Sequence, residues 1–275
     1  MTTLDETMTP LWMIGCGNMG GAMLTRWIAA GLDPAAVTVV RPSGQPVAPG
    51  VRVVTAIPVG EAPPRTLILA VKPQKLADVA ADVAAVVGPD SLVVSILAGA
   101  RVAALRDYFP GAGAIVRALP NTPVAIGKGV VGLHAGTEAD AGARDAAAAL
   151  MAPLGLVEWI ADEEQFDLVT ALSGSGPAFL FRFVGALATA GAELGLPADQ
   201  AARLAIATVE GAALLAAASD ETPGKLADRV ASPGGSTRKG LDVLDAEGGL
   251  LPLLRETLAA AARRNAEMAA EAVRA

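Results

Sequence analysis

The 275 residues are enough for two domains of ordinary size, and 53% of them are apolar. The formal net charge of −7 argues against general affinity for nucleic acid, because binding to a phosphate backbone depends on surplus Lys and Arg. The single cysteine excludes an internal disulfide and a cysteine-rich zinc site, and we expect no metal.

Two features of the sequence predict a cytoplasmic protein with no membrane partner. Residues 1–10 carry Asp5 and Glu6 and lack a basic region followed by an apolar one, so we expect no signal peptide. Charges interrupt the long apolar runs, Arg182 within residues 177–187 and Glu210 within residues 204–218. We therefore expect these runs to form buried helices or subunit interfaces, not membrane spans.

A short apolar strand followed by three spaced glycines opens the predicted fold. Leu11–Ile14 supply the strand, Gly15, Gly17 and Gly20 form a G-x-G-x-x-G turn, and residues 22–30 follow as a helix ended by a left-handed glycine cap. An ordinary glycine-rich turn is the alternative, but the flanking strand and helix favour a dinucleotide-binding fold. The pyrophosphate of the dinucleotide is then expected at the helix N-terminus.

The end of the second predicted strand bears on the choice of dinucleotide. Val37–Val40 form a β-branched run that ends at Arg41, about 20 residues after the glycine turn, where a site that prefers NAD has Asp or Glu. Arg41 and Ser43 instead offer a guanidinium and a hydroxyl, which suit a ribose 2′-phosphate. A solvated arginine at a strand end is the alternative. We favour NADPH over NADH.

Strands and helices alternate through residues 1–160, which predicts a doubly wound α/β domain. The further strands are predicted at residues 51–54, 67–71, 92–95, 114–118, 130–134 and 156–160. The helices between them are predicted at residues 74–87, 102–109 and 140–151. His134, the only histidine, lies at a strand end away from the glycine turn, and we expect it to be structural or exposed rather than catalytic.

No convincing strand follows Ala161, so residues 161–275 are predicted to form a separate all-helical domain. Its helices are predicted at residues 167–172, 177–194, 199–219, 222–230 and 252–272. Long alanine-rich helices cannot hide all of their apolar surface in so small a domain, and we expect dimerisation through them. Two small-residue loops, 173–179 and 232–237, each precede a helix, where free amides could bind an anion.

The chain resembles the pyrroline-5-carboxylate reductases, which catalyse the last step of proline biosynthesis. The resemblance runs from Leu11 to about Leu254 and is carried by residues 15–20, 70–74, 119–123, 173–179 and 232–237. It implies an N-terminal Rossmann-like domain, a helical C-terminal domain that joins two subunits, and in some cases a larger ring. It also implies reduction of 1-pyrroline-5-carboxylate to L-proline with NADPH, or with NADH.

The resemblance assigns site residues by position. The substrate carboxylate is expected on the backbone amides of the second loop, with the Thr237 hydroxyl near the ring nitrogen as the catalytic contact. The expected substrate-binding residues are Ser175, Asp220, Gly234, Gly235, Ser236 and Thr237. An exposed helix-end carboxylate is the alternative for Asp220. The expected cofactor-binding residues are Gly15, Cys16, Gly17, Asn18, Met19, Gly20, Arg41, Ser43, Ala70, Val71, Lys72, Pro73, Ala98 and Asn121.

The chain departs from the family pattern at three positions. Ile57 stands where an asparagine is frequent on the adenosine side, so a polar cofactor contact is lost or replaced. Leu119 replaces a common methionine, an apolar change of little consequence, and Gly20 replaces a common alanine.

The motifs are rich in Gly, Pro, Ser, Thr and Asn and nearly devoid of titratable groups. Hydride transfer to a C=N carbon depends chiefly on proximity, and a substrate bound as its iminium requires no protein acid. We expect Thr237 to orient the imine nitrogen. The alternatives are a β-hydroxyacid dehydrogenase, which would recruit a lysine on a helix of the second domain, and a non-enzymatic NADP-binding protein, which would have disrupted loops.

Overall fold

The computed structural model describes residues 8–274, with side chains described as far as Met268. The chain divides into two compact units. The first unit runs as far as Gly174 and also takes in the chain from Ala261 onward, and the second is Ser175–Ala260. The domain boundary predicted near Ala161 stays a prediction.

The first unit is built on a sheet of eight strands in the order 3-2-1-4-5-6-7-8. The strands are β1 (Leu11–Ile14), β2 (Val37–Val40), β3 (Arg52–Val54), β4 (Thr66–Leu69), β5 (Leu92–Ser95), β6 (Ala114–Pro120), β7 (Gly129–Ala135) and β8 (Gly155–Trp159). Every neighbouring pair is parallel except β6 and β7. The predicted Rossmann-like α/β architecture is confirmed.

The central strands are apolar on both faces because helices cover both sides of the sheet. All four residues of β1, β2, β4 and β5 are buried. Alternate residues enter different cores: Met13 and Ile68 pack in one cluster, whereas Ile14 and Leu69 pack in the other. The strand register thus sends successive side chains to opposite faces.

Four helices and several 3₁₀ turns connect these strands. The helices are α1 (Asn18–Ala29), α2 (Leu76–Ala84), α3 (Val102–Tyr108) and α4 (Ala141–Met151). The predicted glycine cap of α1 is confirmed: Gly31 has a φ of +104°, and the Leu32 amide donates to the Trp27 carbonyl at 3.0 Å. The helix predicted from residue 74 starts later, because Pro73–Lys75 form a 3₁₀ turn before α2.

A short helix, α5 (Phe166–Val169), and a π-helical turn, Thr170–Gly174, close the first unit. This segment corrects the prediction of an open small-residue loop at residues 173–179. Ser173 and Gly174 belong to the π turn, Ser175 is the N-cap residue of the next helix but makes no side-chain cap, and the rest of the predicted loop is helical. Hydroxyls of Thr170 and Ser173 donate back to carbonyls four residues earlier, which holds the turn in helical form.

The second unit contains helices only. They are α6 (Gly176–Glu193), α7 (Ala198–Ala217), α8 (Pro223–Val230), α9 (Ser236–Leu244) and the first part of α10 (Leu250–Arg274). Helices α6 and α7 pack against each other. Among the described residues, α6 buries none and α7 buries only Ala201 and Ala205. The apolar side chains of this pair therefore face outward.

Two segments of the described chain, Glu163–Glu193 and Ala198–Ala217, are long and apolar enough to cross a membrane by length and composition alone. The expectation that charges exclude every such segment was wrong on these criteria, since a span tolerates the one or two charges that Arg182 and Glu210 represent. Only 6% and 11% of the most apolar windows are buried. Exposed apolar surface of this kind marks an interaction site.

Candidate functional site

The carboxyl ends of three strands meet at the point where the strand order reverses. β1 lies between β2 and β4, which run in the same direction. The Gly15 amide donates to the Val40 carbonyl at the end of β2, and the Ala70 amide donates to the Ile14 carbonyl, both at 2.8 Å. In open parallel sheets this reversal leaves a crevice in which ligands bind.

The absence of a side chain has a different structural effect at each of the three glycines of the turn. Gly15 has a φ of +83°, and a Cβ atom there would lie 2.8 Å from the Ala70 carbonyl oxygen. A Cβ on Gly17 would meet nothing within 4 Å, so the space over this residue is open. A Cβ on Gly20 would lie 3.3 Å from the Met13 sulfur, which reflects close packing of α1 on β1.

The N-terminus of α1 is suited to an anion. Gly17 is its N-cap, no side chain caps the helix, and the first turn contains no acidic residue. The first helical hydrogen bond runs from the Gly21 amide to the Gly17 carbonyl, so the amides of Asn18, Met19 and Gly20 precede it. Helix N-termini of this kind bind phosphate through free amides and the helix dipole.

Arg41 lies close enough to the glycine turn to influence Cys16 electrostatically. Burial raises the pKa of the half-buried Cys16 thiol, and the positive charge of Arg41 opposes that shift. The Arg41 amide donates to the Val54 carbonyl, which fixes the residue at the edge of the sheet. Ser43 is exposed in the following turn, where Gly44 has a φ of +62°. A cation and a hydroxyl thus stand beside the crevice.

The turns after β4 and β5 also lie at the carboxyl edge of the sheet. Ala70 and Val71 line the underside of the glycine turn, each within 3.0 Å of where a Gly15 Cβ would lie. Lys72 is exposed, its carbonyl accepts from the Lys75 amide, and Pro73 opens the 3₁₀ turn. Ala98 is exposed in the turn after β5. The residues predicted for the cofactor from these two turns therefore lie at one sheet edge.

Asn121 is buried, and its side chain bonds within the first unit. The Nδ2 group donates to the Ser173 carbonyl at 2.9 Å, and Oδ1 accepts from the Val130 amide at 2.8 Å. The side chain therefore ties the turn after β6 to the π turn. We expect Asn121 to act on a cofactor through the position of its turn, because its amide oxygen is already used.

The 232–237 segment of the second unit forms a tight turn that leads into α9. The Gly235 amide donates to the Ser232 carbonyl at 3.0 Å, and Gly234 between them has a φ of +71°. Gly235 is the N-cap of α9, and no side chain caps the helix. The Ser236 and Thr237 amides lie in its first turn, and the Thr237 side chain is exposed. This geometry presents amides and a hydroxyl to an anion.

The two remaining substrate-side predictions lie elsewhere in the second unit. Ser175 is the N-cap of α6, and its carbonyl accepts from the Ala178 amide at 2.9 Å. Asp220 is exposed in the turn between α7 and α8. Each position is open to solvent in part or in full.

One contact beside the 232–237 turn was not predicted from the sequence. The Arg238 guanidinium donates to the Asp228 carboxylate at 2.6 Å, which links the start of α9 to α8 across the turn. This contact holds the Arg238 pKa above its usual value. Because the partners are ten residues apart, no helical or strand spacing indicates the pair.

Other features of the described chain do not contribute to a site at the glycine turn. His134 lies against the Ile160 carbonyl at 2.8 Å and edge-on to Phe166, away from the glycine turn. Among the residues whose side chains the structure describes, no three metal-ligating side chains come together. A cavity of about 350 Å³ opens at the amino ends of β4 and β5, beside Thr66 and Leu92, the opposite sheet edge from the glycine turn.

Two family models match the chain. The model described as pyrroline-5-carboxylate reductase dimerisation matches residues 163–268. The model described as NADP oxidoreductase, coenzyme F420-dependent, matches residues 11–99. The first match covers the exposed apolar helices, and the second covers the glycine turn and Arg41.

Characterised relatives align over nearly the full chain. The chain is 35% identical to the pyrroline-5-carboxylate reductase of Pseudomonas aeruginosa over 261 residues, which cover 93% of this chain and 95% of that protein. It is 33% identical to the pyrroline-5-carboxylate reductase of Corynebacterium melassecola, over 88% of this chain and 92% of that protein.

Solved structures give the same result. A pyrroline-5-carboxylate reductase from Coxiella burnetii superposes with a TM-score of 0.82 at 32% identity, covering 94% of this chain and 98% of that one. The Plasmodium falciparum pyrroline carboxylate reductase, solved with NADP bound, also gives 0.82, over 95% and 98% of the two chains. At 24% identity the latter supports the fold.

Alanine should destabilise the protein much more at Gly15 than at Gly20. At Gly15 the positive φ alone costs about 1–3 kcal/mol, and the Cβ also collides with the Ala70 carbonyl. At Gly20 the added Cβ lies 3.3 Å from the Met13 sulfur, which is tighter than ordinary contact, so the flexible Met13 side chain has to shift slightly. Because alanine also favours the helix, stability should change by less than about 1 kcal/mol. Urea unfolding of the two variants tests this, and equal losses would contradict the assigned geometry.

Proposed function

The chain belongs to the pyrroline-5-carboxylate reductase family, and from this premise we propose how its own residues carry out the reduction of 1-pyrroline-5-carboxylate to L-proline with NADPH. The observation that carries the proposal is the uncapped start of α9 after the Ser232–Gly235 turn. It offers a small carboxylate a set of free amides beside a hydroxyl. The open glycine turn offers the matching diphosphate site.

The residues at the sheet edge fit a phosphorylated dinucleotide. We propose that the amides of residues 16–20 hold the diphosphate, because Gly17 leaves the approach open and α1 has no cap of its own. Arg41 and Ser43 then bind the 2′-phosphate, and Ala70, Val71, Lys72, Pro73 and Ala98 border the cofactor. Asn121 holds its turn in place. When bound, NADPH supplies the hydride that reduces the imine carbon.

The substrate is held by the second unit in this proposal. The amides of Ser236 and Thr237 bind the carboxylate. The Gly235 amide instead closes the turn on the Ser232 carbonyl, and Gly234 gives the turn its left-handed residue. The Thr237 hydroxyl hydrogen-bonds the ring nitrogen and orients the imine. Asp220 and Ser175 lie on the substrate side, where a carboxylate favours a cationic iminium. Because the iminium already carries the proton, no strong protein acid is needed.

We also propose that the working form is a homodimer, which is able to assemble further into a larger ring. Apolar side chains on α6 and α7 are exposed, including Phe181 at 70% and Ile206 at 58%. The region matched by the dimerisation model contains both helices. A second copy of the chain, not lipid, then covers this surface, which agrees with a cytoplasmic enzyme containing a single cysteine.

Thr237→Ala should lower kcat/KM for pyrroline-5-carboxylate by roughly ten- to a thousand-fold, the range for losing one to a few kcal/mol of transition-state contact. Thr237→Ser should recover most of the loss, because it restores the hydroxyl. Thr257→Ala is the matched control, since that exposed hydroxyl donates only to the Leu253 carbonyl of its own helix. Steady-state kinetics at saturating NADPH provide the measurement, and an unchanged kcat/KM would remove Thr237 from the mechanism.

Arg41→Ala should raise the KM for NADPH about ten-fold or more and leave that for NADH within about three-fold, as expected for losing a charge-assisted contact to phosphate. Arg52→Ala is the control, because this nearby arginine pairs with Glu61 at the surface. Parallel titrations of the two cofactors measure the effect. Equal weakening of both would show that Arg41 does not bind the 2′-phosphate.

Light scattering in detergent-free buffer should give twice the mass of one chain, or a multiple of that value. Phe181→Glu should shift the mass toward the monomer, because it places a charge in the proposed interface. Val59→Glu, at a position 88% exposed in the first unit, should leave the mass unchanged. A monomeric unaltered protein at micromolar concentration would refute the dimer.

A further inference from the structure

One carboxylate oxygen connects three elements of the first unit. Glu163 opens the 3₁₀ turn Glu163–Gln165, and its Oε1 atom accepts from the Arg117 guanidinium at 2.7 Å and from the Val102 amide at 2.9 Å. Arg117 lies on β6, and Val102 is the first residue of α3. Glu163 therefore joins a central strand to the beginning of a helix.

The Arg117–Glu163 contact is protected from solvent, and an aromatic ring also packs against the arginine. The Arg117 and Glu163 side chains are 9% and 18% exposed, so water competes little for either partner. The Arg117 guanidinium also lies over the Phe166 ring, 4.4 Å from its centroid. A charge pair this enclosed is costly to break by removing one partner, because the other charge is left uncompensated.

The Val102 contact caps a helix that has no cap of its own. Arg101 is the N-cap of α3, and its side chain makes no cap hydrogen bond. It pairs instead with Glu164, next to Glu163 in the sequence. An acceptor at this end of α3 also complements the positive end of the helix dipole. The Arg101–Glu164 pair is exposed and weak, so the start of α3 is held chiefly by the Glu163 carboxylate.

The segment immediately before α3 is the turn that contains Ala98. At its other end the Leu97 amide donates to the Ser95 hydroxyl, and Ser95 is buried at the end of β5. Gly99 has a φ of +77°, which shapes the turn between these two anchors. The middle of the turn is exposed, whereas both of its ends are fixed by hydrogen bonds.

We propose that Glu163 is a positioning residue for the nicotinamide cofactor, holding the Ala98–Gly99 turn at the carboxyl edge of the sheet through Val102. The inference rests on the proposed function, in which this turn borders the cofactor. Glu163 itself touches neither substrate nor cofactor. The Arg117 contact fixes the position of the Glu163 carboxylate. The Val102 contact then fixes the start of α3, and with it the end of the Ala98–Gly99 turn.

The test compares Glu163→Ala and Glu163→Gln with Glu164→Gln as the matched control. The Kd for NADPH, measured by nucleotide fluorescence at 15 °C on folded protein, should rise about ten-fold in Glu163→Ala. Glu163→Gln keeps an oxygen for the Val102 amide and should recover part of the loss. Glu164→Gln removes a charge from an exposed pair and should stay within two-fold of the unaltered protein. The KM for pyrroline-5-carboxylate should change less than the KM for NADPH.

Should Glu163→Ala not fold, the Val102 contact is tested by a second pair of variants, of which only one breaks it. Val102→Pro removes the amide donor at a helix position that favours proline, after an Arg101 whose extended backbone tolerates it. Val102→Ala keeps the backbone amide donor and, like Val102→Pro, replaces the valine with a smaller side chain. Val102→Pro should weaken NADPH binding several-fold more than Val102→Ala does.

The outcomes separate this inference from the proposed function. A stability loss in Glu163→Ala with NADPH affinity unchanged within two-fold would show that Glu163 is only structural, and would overturn the inference. Equal NADPH affinity of the two Val102 variants would overturn it as well. Failure of the unaltered protein to form proline, with NADPH still bound, would instead refute the proposed function and leave the Glu163 test intact.

Discussion

The close approach of Gly15 to the Ala70 carbonyl is the constraint on which the first unit depends. With no Cβ in the way, the chain leaves β1 at a positive φ and bonds to the end of β2, while the Ala70 amide bonds back to β1. Three strand ends are therefore held together where the strand order reverses. The open amides of α1 and the Arg41 cation take their positions from this junction.

A second constraint governs the helical unit. Its turn before α9 is closed by the Ser232–Gly235 hydrogen bond and linked to α8 by the Arg238–Asp228 contact. The helices α6 and α7 bury almost none of their apolar residues within the chain. The turn forms the proposed carboxylate site from local contacts alone, whereas the apolar packing of the unit is left incomplete. Assembly of subunits supplies the missing interior in the proposed dimer.

The parts of the fold predictable from sequence were those with strong local chemistry. Continuous β-branched or aliphatic runs identified β2 and β5 to the residue, and Gly31 identified the end of α1. The π turn at Thr170–Gly174 was missed, because small residues such as Ser173 and Gly174 favour loops unless hydroxyl contacts back to earlier carbonyls hold them in a helix. The Glu163–Arg117 contact joins residues 46 apart, and only the folded sheet brings them together.

The outward-facing apolar surface of α6 and α7 has a thermodynamic consequence. A unit whose interior is completed by another molecule has no fixed free energy of unfolding, because mass action adds a term that grows with the amount of protein present. On the proposed dimer, the melting temperature of this enzyme therefore rises with its concentration. Dilution alone then weakens the fold, even though no contact within one chain has changed.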